Sequence, residues 1–271
     1  MIQFKTRTLT IFESALFRTT SGLYTGNGAL VLVDPTWLPD EVGAIRHYLD
    51  DLTGKQGLHL IFTHSDYDHI IGDGAFPEAK TVASRAFTES ADKAEQVRLI
   101  REFDEKYYLD RHYPVGYPEI DFVIDEDEQF LAAGEARLSF WLAPGHNPDG
   151  ILTLIEPDGI LFAGDYLSDA EFPFVYHSFR AYRETLVKID ILVRSGRVRV
   201  LIPGHGSVCT ATEEMQKRLS AAHAYLDTLE DCLLNNKPFP EQQLWSDYKY
   251  KAGQQEYHEK NIELFRREFG L

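Results

Sequence analysis

Between positions 64 and 69 the segment "HSDYDH" sets two histidines and two aspartates, His64, Asp66, Asp68 and His69, into six consecutive residues. Three later segments share a pattern: an apolar run, then a ligand-type residue beside glycine. They are "APGHN" with His146, "LFAGDY" with Asp165 and "LIPGHG" with His205. Imidazole and carboxylate together suit zinc, iron or manganese; all-oxygen cages suit magnesium or calcium, and thiolates are missing from these clusters. Seven such residues are more than one four-coordinate ion needs. They fit two ions about 3.5–4 Å apart that share a bridging carboxylate and activate one hydroxide, which is hydrolytic chemistry. A polar loop would explain "HSDYDH" alone, and a satisfied structural histidine would explain any one strand-end His. Four such clusters are hard to explain as packing.

These side chains need strands to carry them to a common edge. "TLTIFESALF" and "LYTGNGALVLVDP" read as strands, and Gly26-Asn27-Gly28 in the second is a tight-turn signal for a hairpin. "DEVGAIRHYLDDL" (40–52) has helical spacing through Val42, Ile45, Leu49 and Leu52. "GLHLIFTHSD" is an apolar strand running directly into the first cluster, so the cluster sits on a loop where functional groups gather. One long helix is expected over 84–109, then the loop "RHYPVGYPEID" and strands in "FVID", "RLSFWLAPGH", "GILTLIEP" and "GILFAGDY". Helices over 180–194, 212–234 and 245–268 complete the pattern, with "RVRVLIPGHG" a strand after the first of them and "NNKPFPEQQ" linking the last two. Interleaved strands and helices favour a mixed α/β domain with a helical C-terminal extension.

The order and spacing of these motifs resemble the metallo-β-lactamase superfamily, whose His-x-His-x-Asp-His motif is followed by a distant His, Asp and His. The resemblance runs from "GNGALVLVDP" to "PGHG" and leaves residues after about 212 outside it. It implies an α+β fold, a four-layer αββα sandwich over 1–211, with 212–271 as a helical extension packed on the same domain. It also implies two divalent metal ions between loops at one edge of two facing sheets. His64, the residue at 66 and His146 would hold the first ion, Asp68, His69 and His205 the second, and Asp165 would lie between them. Asp68 and Asp165 are the expected catalytic carboxylates, Asp68 also orienting or accepting a proton.

One position departs from the pattern. Where the family usually has its second histidine, this chain has Asp66; the flavodiiron reductases of the superfamily carry Glu there. Asp66 could ligate the first ion directly, reach it through water, or mark a weak first site. Direct ligation would make the core one charge more negative than a histidine would, which raises the pKa of bound water. A hard oxygen ligand also tilts the preference from zinc, the first expectation, towards iron or manganese.

Composition narrows the remaining classes. The 271 residues, 44% hydrophobic and 13% aromatic, are globular in character, and no window approaches the apolar length of a membrane span. A formal charge of −16 argues against nucleic acid. The first residues read as a strand rather than a signal peptide, and only Cys209 and Cys232 occur, so reduced thiols and a cytoplasmic location are expected. Cys209 is assigned a structural role.

The expected activity is cleavage of a small ester, lactone or thioester by a metal-bound hydroxide, with a small molecule as partner and neither nucleic acid nor membrane. The alternatives are a phosphodiesterase-type activity and a non-haem di-iron protein acting on oxygen or nitric oxide. The latter would need a separate electron donor, because no flavin-binding segment is recognised. The C-terminal helices cap the site or form a homodimer face. Phe172, Phe174, Tyr176 and His177 in "AEFPFVYHSF" are the candidate substrate wall, with a core role equally open to them. His47, His59, His112, His223 and His258 read as surface or packing histidines.

Overall fold

The computed structural model describes residues 1–52 and 57–271. Its first sheet has seven strands in chain order: β1 (Ile2–Lys5), β2 (Leu9–Glu13), β3 (Thr20–Tyr24), β4 (Leu30–Val33), β5 (Leu58–Ile61), β6 (Lys80–Ser84) and β7 (Phe122–Ile124). The pairs up to β3–β4 are antiparallel, and those from β4 to β7 are parallel. The second sheet has five strands: β8 (Phe130–Ala133), β9 (Ala136–Leu142), β10 (Ile151–Glu156), β11 (Ile160–Phe162) and β12 (Val200–Ile202), ordered β12-β11-β10-β9-β8. Within it β9, β11 and β12 run in one direction, since β10 is antiparallel to both β9 and β11 while β12 is parallel to β11.

Apolar residues on both faces of each sheet account for the layering. In β4, Val31 and Val33 enter the core between the sheets, whereas Leu30 and Leu32 face the other way. In β10, Ile151 and Ile155 point inward and Leu152 and Leu154 outward. That is the period-two alternation of a strand buried on both sides, so the sequence reads as an unbroken apolar run. Helices α1 (Pro39–Asp50), α2 (Tyr67–Ile70) and α4 (Lys93–Tyr107) cover the first sheet through Val42, Ile45, Leu49, Ile70, Ile100 and Phe103. Helices α5 (Phe179–Arg194), α6 (Thr212–Leu234) and α8 (Lys251–Phe269) cover the second through Leu186, Ile189, Leu226, Leu229, Leu264 and Phe265. The result is the expected αββα sandwich, with the C-terminal helices built into its outer layer. No helix among the described residues is long and apolar enough to cross a membrane.

The hairpin signal is realised between β3 and β4. Asn27 and Gly28 both have positive φ (53° and 69°), and the Ala29 N–H donates to Gly26 O at 2.9 Å, the type I′ geometry whose twist suits paired strands. Two helix expectations are corrected. The stretch 84–109 is α3 (Arg85–Thr88) and α4, separated at Glu89–Asp92, where Ser90 Oγ accepts from Asp92 N and competes with helical bonding. The stretch 245–268 is the end of α7 (Glu241–Asp247) and α8, broken where Tyr248 is extended and its ring packs on Phe172 at 5.8 Å.

The inter-sheet core sets the stability of the scaffold. Replacing Phe140, which is fully buried between the sheets, by Ala is expected to destabilise the fold by about 3–5 kcal/mol. Val187→Ala on the exposed side of α5 is expected to change stability by no more than about 0.5 kcal/mol. Urea unfolding followed by circular dichroism measures both, and equal effects would contradict the layer assignment.

Candidate metal centre

Every predicted ligand lies just past the C-terminal end of a strand. His64 follows β5, and Thr63 before it is tied to Asp34 at the end of β4: Thr63 N–H and Oγ1–H donate to Asp34 Oδ1 and Oδ2 at 2.8 and 2.5 Å. Asp66 immediately precedes α2, whose single turn buries Asp68 and His69. His146 follows β9, Asp165 follows β11 and His205 follows β12. Because these three strands run the same way, their loops meet at one edge.

Glycine is required at two of these turns. Gly145 has φ +137°, and a Cβ there would lie 2.3 Å from the Tyr182 backbone. At Gly204 a Cβ would come within 2.1 Å of Asp165 Oδ1, so only glycine lets the His205 loop approach the centre.

The side chains form two groups: His64, Asp66, His146 and Asp165, then Asp68, His69 and His205, the candidate ligand atoms of each lying within 4.8 Å of one another. Asp165 joins them. Its Oδ2 is 3.7, 3.3 and 3.4 Å from Nε2 of His64, His146 and His205, and its Oδ1 is 3.2 Å from Nε2 of His69. Asp68 Oδ2 is 3.5 and 3.4 Å from His69 and His205 Nε2. Asp66 Oδ2 is 3.1 Å from His146 Nε2 and 3.6 Å from His64 Nε2, while its Oδ1 accepts from Asn147 Nδ2 at 2.7 Å. Two ligands of a tetrahedral ion with bonds of about 2.0–2.1 Å stand roughly 3.3 Å apart. The observed separations fit that spacing.

Outer partners aim the rings. His69 Nδ1 lies 2.9 Å from Asp34 Oδ2, His146 Nδ1 2.8 Å from Phe174 O, His205 Nδ1 3.0 Å from Phe17 O and His64 Nδ1 2.9 Å from Thr63 Oγ1. Each Nδ1–H thus has an acceptor, and each Nε2 is left as a bare donor of electrons to the centre. Two consequences are visible. His64 Nε2 and Asp165 Oδ1 are buried without a hydrogen-bond partner, and the Nε2 atoms of His69 and His205 face each other at 3.4 Å. Acceptors confronting acceptors in a buried site are the signature of an arrangement built for cations.

Electrostatics point the same way. Burial alone would lower His146, but Asp165 and Asp66 outweigh it and lift it to about 9. His205 is also opposed by burial, yet Glu171, Asp165 and Asp68 raise it to about 10. Burial works against ionised Asp66 and Asp165, and the surrounding imidazoles overcome it and hold both below the usual carboxylate range. Asp68 is pushed up by burial despite His69 and His205. The carboxylates demand positive charge, which divalent ions supply in exchange for protons.

The sequence profile of the metallo-beta-lactamase superfamily matches residues 15–205. The chain belongs to the metallo-beta-lactamase superfamily. Solved structures share this superfamily's fold at low identity. The stereoselective inverting sec-alkylsulfatase from Pseudomonas sp. matches 86% of this chain with 16% identity and a TM-score of 0.66; the chain spans 42% of that protein's length. A metallo-beta-lactamase family protein from Thermus thermophilus matches at 21% identity and TM-score 0.60, covering 84% of this chain and 83% of the other. An archaeal superfamily protein from Sulfolobus tokodaii matches at 19% identity and TM-score 0.53, covering 80% and 86%.

In this superfamily member the metal groups open into a cavity of about 810 Å³. Of the proposed substrate wall, Phe174 and Tyr176 line it. Two assignments are corrected. Phe172 is buried against Tyr225 and Trp245 and borders a small void shared with Asp165 and His205 rather than the large cavity. His177 is exposed and lies outside the lining, because its backbone N–H turns back onto Gly145 O and His146 O. Both α4 and the segment from Lys249 into α8 contribute to the walls.

Sequence reading missed Asp34, Asn147 and Glu171. Asp34 closes the apolar run of "LVLVDP", which is a usable signal; Asn147 stands beside His146 in "APGHN". Glu171 carries no such mark. It lines the cavity, and burial, reinforced by Asp165 and Asp68, pushes it up to about 7.

Asp165 touches both groups and His146 only one, so their substitutions are expected to differ. Asp165→Ala should leave less metal per chain than His146→Ala after identical reconstitution, by elemental analysis at matched circular dichroism. Equal retention would contradict a bridging role for Asp165.

Proposed function

We propose that this chain is a two-metal hydrolase that cleaves a small carboxylic ester, lactone or thioester. The observation carrying this reading is the Asp165 carboxylate set among four Nε2 atoms, with Asp66 and Asp68 completing two groups of ligand spacing. His64, Asp66 and His146 would hold one ion, Asp68, His69 and His205 the other, and Asp165 both. When bound, such ions polarise a carbonyl oxygen and lower the pKa of water.

The chain's own residues supply the rest. Asp68 is close to His69 and His205 and borders the cavity, so one carboxylate oxygen can orient the attacking water and accept its proton. Asn147 holds Asp66 Oδ1, which leaves Oδ2 directed at the first group. This favours direct ligation by Asp66 over contact through water. With that carboxylate in place, iron or manganese competes with zinc, since oxygen is the harder ligand.

A panel of ester, lactone and thioester substrates, with alkyl sulfates included because the Pseudomonas structure shares the fold, tests the bond class. Activity on the carbonyl substrates should vanish on chelation and return with metal. Sulfate cleavage without carbonyl cleavage would refute the proposed bond class.

Asp66→His isolates the unusual ligand. The change makes the centre one charge more positive, so the ionisation that limits the rate on the acidic side should move to lower pH. Metal preference should shift towards zinc. An unchanged pH–rate profile and metal preference in a folded, fully loaded variant would mean that Asp66 does not tune the centre.

A further inference from the structure

Four carboxylates line the large cavity, and three of them, Asp66, Asp68 and Asp165, belong to the two ligand groups. The fourth, Glu171, stands outside both. It lies in the loop between β11 and α5, where Ser168 Oγ accepts from the N–H groups of Ala170 and Glu171 at 3.0 and 3.1 Å. Gln254 Nε2 donates to Ala170 O at 2.7 Å. Bonds from the loop itself and from α8 therefore fix the backbone that carries this side chain.

No hydrogen bond or ion pair reaches the Glu171 carboxylate from any described residue. The residue is only half-buried and its oxygens are not sealed from solvent, so a ligand in the cavity can reach them. A carboxylate largely withdrawn from water without a partner is costly to ionise. Burial accordingly pushes Glu171 up to about 7, with His205 opposing the rise and Asp165 and Asp68 adding to it. A cationic partner would remove that cost.

The surroundings suit such a partner. Tyr176 and Tyr257, with ring centroids 6.2 Å apart, line the same cavity, and neither is fully buried. Both phenols are raised first by burial and further by neighbouring charges that include Glu171. The faces of such rings attract cations. The four carboxylates of the lining match the four charges of two divalent ions, so a loaded centre would not repel a cation. With a histidine at 66 one positive charge would remain. The cationic side chains of the lining are engaged or exposed. Arg18 pairs with Glu13 at 2.9 Å, and the ammonium groups of Lys249 and Lys251 lie over the Tyr250 and Trp245 rings at 5.0 and 5.4 Å. Both lysines are exposed, where water and salt screen them. The formal charge of −16 adds a long-range field that favours the approach of cations.

We propose that the substrate carries an alkylammonium group, bound by the Glu171 carboxylate beside the Tyr176 and Tyr257 rings. Glu171 is then a specificity-determining residue and not a metal ligand. The bond cleaved rests on the hydrolase reading above; the charged group recognised does not.

The test uses the full, metal-loaded chain and ligands that differ only in the terminal group. Calorimetric binding of 4-aminobutanamide, 5-aminopentanamide and 6-aminohexanamide is compared with that of pentanamide, hexanamide and heptanamide, in which methyl replaces the ammonium. At least one amino amide should bind about tenfold or more tighter than its methyl counterpart, the worth of a hydrogen bond between charged groups. Glu171→Gln keeps the shape and removes the charge, so the paired ligands should approach equal affinity while metal content by elemental analysis stays unchanged. Equal binding, or none, by the wild-type chain overturns the proposal whether or not the variant folds. So does an ammonium preference that survives in the folded variant, and so does loss of metal from it, which would make Glu171 a ligand. Turnover of the matching acyl thioesters of one thiol separates the two readings. The ammonium preference in binding without thioester turnover would count against thioester cleavage and leave the recognition intact; turnover with equal binding of amino and methyl ligands would do the reverse.

Discussion

The structure turns on a buried Asp165 carboxylate surrounded by four imidazole nitrogens, each with its other nitrogen already engaged. In a low-dielectric interior, uncompensated charge is costly and close like charges cannot all remain ionised. Asp66, Asp68 and Asp165 share that interior, and His64 Nε2 has no hydrogen-bond partner within it. Cations relieve these constraints together. Without them the carboxylates draw protons onto the histidines, as the upward shifts of His146 and His205 record.

Holding that arrangement requires both sheets. Asp34 at the end of β4 receives Thr63 and lies against His69, so it ties the first strand-end cluster to its neighbour. The Ile151 N–H donates to Thr63 O at 2.8 Å, and the Thr20 N–H donates to Gly204 O at 2.7 Å. These bonds lock the loops of the two sheets together around the centre. The ligands are therefore placed by the ends of rigid strands, and their ring orientations by the groups behind them.

What surrounds the centre comes from different parts of the chain. The superfamily profile ends at residue 205, yet Lys249, Tyr250, Gln254 and Tyr257 line the cavity together with Gln96 and Leu99 of α4. The break between α7 and α8 matters here, since it brings an extended segment rather than a continuing helix to the rim. The cavity wall thus joins residues inside the matched stretch, on α4, to residues beyond it, on the segment leading into α8.

Much of the centre is legible in the sequence because its determinants are local. Paired ligand types in "HSDYDH", glycine beside His146 and His205, and the Asn27-Gly28 turn each express a backbone or ligand requirement within a few residues. Apolar runs likewise specify strands buried on both faces. Tertiary structure decides the rest, because the partners are remote in the chain. Asn147 reaches Asp66 across 81 positions and Gln254 reaches Ala170 across 84. The same distance hides Glu171 as a cavity carboxylate, consigns Phe172 to the core and leaves His177 outside the lining. Residue type and spacing thus determined which atoms could bind metal; only the packing of strand ends and helices decided which atoms face one another and which residues line the cavity.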